Sequence, residues 1–240
     1  MEDNIVQIMP DEPFQFSCHS KVVCFNECCR DLNQFITPYD MLRMRKNLGL
    51  SCEEFLSKYT SQHIGPESGL PVVTLKPNIA DELTCPFVTP EGCRVYNDRP
   101  ASCRMYPLAR AVTRSRETGQ LIEHFALIKE SHCKGFSEGK SQTPLEWVES
   151  QGLKKYNEMN DLLLEIISLK NQKKPGPVDF KEKLMVHMAF YDLDSFRTHI
   201  FEKGLLDEFN LDEFILEKIK TDDVELLKLG FEWIKRVLFS

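Results

Sequence analysis

The stretch Cys18-His19-Ser20-Lys21-Val22-Val23-Cys24-Phe25-Asn26-Glu27-Cys28-Cys29 places four cysteines within twelve residues. No helix or strand period organises it, so its fold must come from what the thiols hold. The chain carries five more cysteines, Cys52, Cys85, Cys93, Cys103 and Cys133, and none after residue 133. The N-terminus has no basic region followed by an apolar one, so no secretory signal is read there. That reading expects a cytoplasmic protein in a reducing compartment, where disulfides are rare and clustered cysteines bind metal or do redox chemistry.

The spacing narrows the chemistry only partly. Zinc takes four tetrahedral ligands, and iron–sulfur clusters also take four thiolates. Eight cysteines, Cys18, Cys24, Cys28, Cys29, Cys85, Cys93, Cys103 and Cys133, divide into two sets of four. No Cys-x2-Cys pair occurs, and neither ferredoxin spacing is present. Adjacent side chains diverge in most backbones, so Cys28 and Cys29 serve either different metals or opposite sides of one cluster. The expectation is that Cys28 and Cys103 join the two cysteine groups in shared sites. Cys52 stands apart, at the first helical position of a Ser51-Cys52-Glu53-Glu54 capping box. There the helix dipole lowers a thiol pKa, but a small tolerated residue is the simpler reading. His19 and His132 adjoin candidate ligands and are weighed as substitutes for a thiolate.

Around the cysteines the elements are short. Phe14-Gln15-Phe16 alternates as a strand. Thr37-Pro38-Tyr39-Asp40 starts a helix that Gly49 stops. Residues 70–79 and 121–129 are strand candidates, and Pro90-Glu91-Gly92 turns a hairpin between 87 and 96. Thr143-Pro144-Leu145-Glu146 starts a long helix to about 169, and residues 171–178 form a linker. Three helices follow, near 179–190, 194–203 and 211–237, the last broken near Thr221 and Asp222. Asp194 or Ser195 is read as a cap. The fold class is α+β: a small antiparallel sheet with metal-knit cysteine loops and a helical C-terminal part. Residues 1–140 are expected to form the metal-binding domain and 141–240 a helical region packed on it.

Composition sets the outer limits. The 240 residues are 42% hydrophobic and 28% charged, with net charge −7. Free nucleic acid and anionic membrane are therefore not expected as partners, and no apolar run is long enough to span a bilayer. Six arginines lie between Arg94 and Arg116 with no lysine. Arg99 and Arg104 flank Pro100 and Cys103, where guanidinium groups offset thiolate charge.

These residues carry a family resemblance. Cys24-x3-Cys28-Cys29, Phe35-Ile36-Thr37-Pro38-Tyr39-Asp40, Leu48-Gly49-Leu50 and Phe55 resemble the opening of the YkgJ-type cysteine-cluster family, also described as a zinc- or iron-chelating domain. Cys85-Pro86-Phe87, Cys93-Arg94-Val95-Tyr96, Arg99-Pro100-Ala101-Ser102-Cys103-Arg104 and Tyr106-Pro107-Leu108 are similar to its second half. Cys133-Lys134-Gly135-Phe136 resembles its close. The resemblance covers residues 16–136, and Cys18-x5-Cys24 is longer than the family's usual spacing. It implies chelation of zinc or iron by these cysteines and implies no reaction. The alternatives it raises are an iron–sulfur enzyme, acting in group transfer such as protein methylation or in redox, and a metal-handling chaperone. No glycine-rich nucleotide loop supports a methyltransferase.

Overall fold

A computed structural model describes residues 4–137, 139–203, 206, 209 and 211–239. The chain is α+β, with short antiparallel strands and a mostly helical C-terminal part. Among the described residues the strands form four small antiparallel sheets, where the sequence suggested one. Contacts group the chain into two discontinuous units: residues 1–32 with 77–157, and residues 33–76 with 158–240. The grouping does not follow one cut after residue 140. The capped helices of 33–76 instead group with the C-terminal helices.

The first unit is built on a three-stranded sheet in the order β1 (Ile5–Ile8), β9 (Leu121–Ile128), β8 (Leu108–Arg114). Ile8 pairs with Phe125 and Leu108 with Leu127, and these four side chains are buried. The strand Ile5–Ile8 was not singled out in the sequence. A second sheet pairs β2 (Phe14–Phe16) with β10 (Lys140–Gln142). Phe16 is the centre of this core. Its ring meets Phe136 at 5.1 Å, Trp147 at 5.7 Å and Tyr106 at 5.9 Å, all edge-on, the favoured aromatic geometry. Gly135 allows this approach, since a Cβ there would fall 2.5 Å from the Phe16 ring. The hairpin is real but minimal: β6 (Val88–Thr89) pairs with β7 (Gly92–Cys93). A single helical turn, α3 (Ala101–Met105), follows.

The helix expected from Thr143 to about residue 169 is two helices, α4 (Pro144–Ser150) and α5 (Lys154–Lys173). Thr143 caps the first through Glu146. Gly152, at φ +63°, then takes the left-handed conformation that costs glycine least, and the helix axis restarts. Only the start of α5, through Asn157, belongs to the first unit.

The second unit opens with β3 (Phe35–Ile36), α1 (Pro38–Leu48) and α2 (Cys52–Tyr59). Thr37 and Ser51 each close a reciprocal capping box, as the sequence indicated. β4 (Thr60–Ile64) and β3 flank β5 (Pro71–Leu75) in an antiparallel sheet. The helices α6 (Phe180–Tyr191), α7 (Leu193–Glu202), α8 (Glu213–Thr221) and α9 (Asp223–Phe239) complete it. The break between α8 and α9 falls at Asp222, where the sequence reading placed it. Phe190 packs on Phe231 at 5.2 Å and Phe196 on Trp233 at 5.3 Å. Gly230 lets α9 approach α6: a Cβ there would lie 2.7 Å from the Ala189 carbonyl oxygen.

Candidate metal centre

All nine cysteines are free thiols. Eight of them lie in the first unit, and Cys52 alone lies in the second.

Backbone pairing sets the places of the eight. The end of β2 is tied to the closing cysteine loop, because the Ser17 N–H donates to the Gly135 carbonyl at 3.0 Å. The Lys134 N–H donates to Cys24 Sγ at 3.1 Å. These bonds gather Cys18, Cys24, Cys28 and Cys133 around one recess, with Phe16, Tyr106 and His132 also on its wall. Cys133 therefore joins the N-terminal group, from which it is remote in sequence.

Cys29 is not on that wall, although its thiol hydrogen-bonds to that of Cys28. Glu27–Cys29 form one 3-10 turn, in which successive side chains point about 120° apart. Beyond the turn the chain runs beside residues 83–85. The Cys85 N–H donates to the Cys29 carbonyl at 2.8 Å, and the Asp31 N–H donates to the Leu83 carbonyl at 3.1 Å. The Asn26 amide, whose residue takes a left-handed backbone, donates to the Thr89 carbonyl at 2.9 Å. Cys29 consequently lies within the electrostatic reach of Cys85 and Cys103, and Cys85 within that of Cys93.

Charge and burial act on these thiols together. Burial first, then the neighbouring Cys28, Cys24 and Cys133, pushes the Cys18 thiol up to about 11. Burial also raises Cys85 and Cys93. Cys29 donates its proton to Cys28, which raises Cys29 and lowers Cys28 to about 7. Thiols that repel one another once deprotonated gain from a cation among them, and the thiolate is the form that binds metal.

Of the two flagged arginines, one faces the thiols. Arg99 is close enough to Cys93, Cys103 and Cys18 to favour their thiolates. It stacks on Tyr96 and donates to Gln151 Oε1 at 2.6 Å. Arg104 instead donates to the backbone carbonyls of Arg99, Gln151 and Asn97 and stacks on Tyr156. Its role is to hold loops. Arg110 pairs across the sheet with Glu123 at 2.6 Å.

Sequence reading gave Tyr106 no role. Its Oη is buried with no hydrogen bond of normal geometry among the described residues. Burial, then Cys133 and Glu130 against it, pushes the phenol well up. Nothing in the motif Tyr106-Pro107-Leu108 signals an orphaned hydroxyl, since orphaning is a property of the packed state. His132 Nε2 lies 3.6 Å from Glu130 Oε2. The Nδ1 of His19 accepts from the Lys21 N–H at 3.2 Å.

Cys52 is fully buried, and burial pushes its thiol up to about 12. The helix N-terminus does not make it a reactive thiolate. Its N–H donates to Asp194 Oδ2 at 2.9 Å, so Asp194 serves this helix and not its own. Asp192 caps α7, accepting from the Ser195 N–H at 3.1 Å. Among the described residues, Cys52, Asp192 and Asp194 form the one trio of Cys, His, Asp or Glu with ligand atoms all within 4.8 Å of one another. Capping, with Arg45 3.8 Å from Asp194 Oδ1, accounts for that cluster. No three of the eight thiols of the first unit come within 4.8 Å of one another. Four sulfurs on one zinc ion, at bonds of about 2.3 Å, lie about 3.8 Å from one another.

Residues 17–134 match a family model described as "CxxCxxCC: Putative zinc- or iron-chelating domain". This is the family that the motifs resemble, and the match takes in all nine cysteines. No curated protein and no solved structure matches the chain significantly. Among the described residues, no helix is long and apolar enough to cross a membrane.

Proposed function

We propose that the first unit chelates zinc or iron through Cys18, Cys24, Cys28, Cys29, Cys85, Cys93, Cys103 and Cys133, and that the bound metal knits its loops together. The observation that carries this reading is the recess walled by Cys18, Cys24, Cys28 and Cys133. Its thiols come from loops far apart in sequence. The donor set fits a thiophilic metal, and the orphaned Tyr106 Oη beside Cys133 fits a buried thiolate that needs a hydrogen-bond donor. Eight thiolates are enough for two four-thiolate sites, and four protein ligands close a zinc site where catalytic sites keep a position open. That favours a structural role over an enzyme or a metal-delivering chaperone. Free thiols throughout suit a reducing compartment, and the proposed location is the cytoplasm.

The metal supplies charge neutralisation and a cross-link. The chain's own residues hold it in place. The Lys134 N–H donates to Cys24 Sγ, and the Arg99 guanidinium offsets charge at Cys93 and Cys103. The wide spacing of the thiols favours a second reading of the cofactor, an iron–sulfur cluster, because several irons span more space than one ion. The test is anaerobic purification followed by metal analysis and a visible spectrum. Tightly bound zinc or iron supports chelation, and iron with equimolar sulfide and broad visible absorption identifies the cluster. A protein that takes up neither metal overturns the reading.

A further inference from the structure

We propose that the turn from Asn78 to Cys85 is a strained switch. The metal-free chain populates the left-handed form of this turn only in part, and ligation at Cys29 and Cys85 shifts the turn fully into it. The proposal rests on the chelation reading above and adds a conformational device to it.

Backbone conformation marks the turn. Glu82 and Leu83 are consecutive residues at positive φ, +48° and +58°. Asp31, whose N–H donates to the Leu83 carbonyl at 3.1 Å, is also at +48°. Aspartate visits this region readily. In glutamate and leucine the Cβ crowds the following carbonyl oxygen, which disfavours the conformation roughly five- to thirtyfold per residue. Such strain persists only where the surroundings over-determine it. Burial does not do so here, because residues 76–83 are all exposed, Ile79 and Leu83 included.

Hydrogen bonds at the two ends hold the turn instead. The Thr84 N–H donates to the Asp81 carbonyl at 2.9 Å and its hydroxyl to Asp81 Oδ2 at 2.8 Å. The Asn78 N–H donates to the Thr84 carbonyl at 2.8 Å, and the Cys85 N–H to the Cys29 carbonyl at 2.8 Å. Arg30 Nη1 pairs with Glu82 Oε2 at 2.5 Å, but an exposed pair of this kind contributes little. The strained residues thus lie between Thr84-Cys85 on one side and residues 29–31 on the other. Cys29 and Cys85 join those sides, and both are proposed ligands, so ligation pins the clamp that keeps the turn left-handed. Where only a fraction of the metal-free chain holds the competent form, apparent affinity falls by that fraction. Relieving the strain should therefore tighten binding.

The test titrates the full chain with cobalt(II), whose sulfur-to-metal charge-transfer bands report thiolate ligation. Leu83→Gly removes the left-handed cost, whereas Leu83→Ala shortens the same side chain and keeps that cost. Leu83→Gly should bind cobalt about fivefold more tightly than Leu83→Ala, because glycine takes positive φ freely. Glu82→Gly should exceed Glu82→Ala in the same way, and this second pair decides if a Leu83 variant does not fold. Hydrogen exchange supplies a readout without metal: the Thr84 and Cys85 amides of metal-free Leu83→Gly should be better protected than those of metal-free Leu83→Ala. Equal affinities within the pairs would mean that the turn is equally formed with and without metal, and the switch is overturned while chelation stands. Tighter binding by the alanine variants, or equal protection of those amides, overturns it too. A wild-type protein that shows no band overturns chelation itself.

Discussion

The Cys85 N–H donates to the Cys29 carbonyl at 2.8 Å, which joins the last cysteine of the N-terminal run to the first of the second group. A main-chain bond between residues so distant in sequence fixes which thiols can meet before any metal is bound. Cys28, one residue earlier, stays beside Cys29 through the hydrogen bond between their side chains. The first unit's loops are therefore prearranged in part, and the metal completes them.

Removal of metal should melt the first unit and spare the second. Binding free energy becomes folding free energy where loops lack a core of their own. Hydrogen exchange after chelator treatment should show lost protection in residues 14–32 and 84–105. Protection in α1, α6 and α9 should persist, because Phe190, Phe196, Phe231 and Trp233 are packed without cysteine ligands. Equal loss in both units would count against this division.

Cys52→Ala should leave metal content unchanged. Cys52 lies in the second unit and is fully buried, so the variant loses packing of about 1 kcal/mol from a methyl-sized void. Metal analysis and a urea melt read the two effects separately. A drop in bound metal would put Cys52 among the ligands.

Asp223 should control acid stability of the second unit. Although burial alone opposes ionisation, the hydrogen bond from Arg197 and the charges of Arg45 and Lys46 hold its carboxyl below the ordinary range. Arg45 Nη2 lies 2.6 Å from Asp223 Oδ2 and Lys46 Nζ 3.1 Å from it. A depressed folded pKa gives stability that is complete above the unfolded carboxylate value and lost as pH falls through the folded one. Asp223→Ala should cost about 3 kcal/mol at neutral pH, since it strands a buried Arg45. The gap from wild type should narrow toward pH 3 in urea titrations, and a constant gap would assign the loss to packing instead.

Tyr106→Phe should change the metal site more than the fold. The hydroxyl has no hydrogen bond of normal geometry among the described residues, so its removal should move apo stability by less than about 1 kcal/mol. With metal bound, the phenol would donate to the Cys133 thiolate, and losing that bond would raise the sulfur lone-pair energy. In protein loaded with cobalt(II), the sulfur-to-metal charge-transfer band should then move to longer wavelength. Tyr96→Phe is the control, because Tyr96 stacks on Arg99 by its ring face. An unmoved band in Tyr106→Phe would remove Tyr106 from the site.

Local chemistry was open to sequence reading. Thr37, Ser51 and Thr143 each cap the helix they announce, and the turn at Pro90-Glu91-Gly92 makes its hairpin. These devices act over three or four residues, so the local sequence carries the whole of the interaction. The same holds for the family motifs, whose order and residue types point to a thiophilic metal. Elements that depend on a distant partner were not legible. The strands β1 and β10 have no strong pattern and exist because β9 and β2 supply their hydrogen bonds. Asp194 was read as a cap for its own helix, but it accepts from Cys52.

The sequence by itself determined which residues could bind metal: eight cysteines in an ordered set of motifs, with Cys52 apart in a helix start. Only the tertiary structure decided which of them stand together. The Lys134 N–H beside Cys133 binds Cys24 Sγ, and the Cys85 N–H binds the Cys29 carbonyl. It also decided that residues 33–76 belong with the C-terminal helices. The physical reason is that a thiol's ligating ability is fixed by its own chemistry, whereas its neighbours are fixed by backbone hydrogen bonds and buried contacts between segments far apart in the chain.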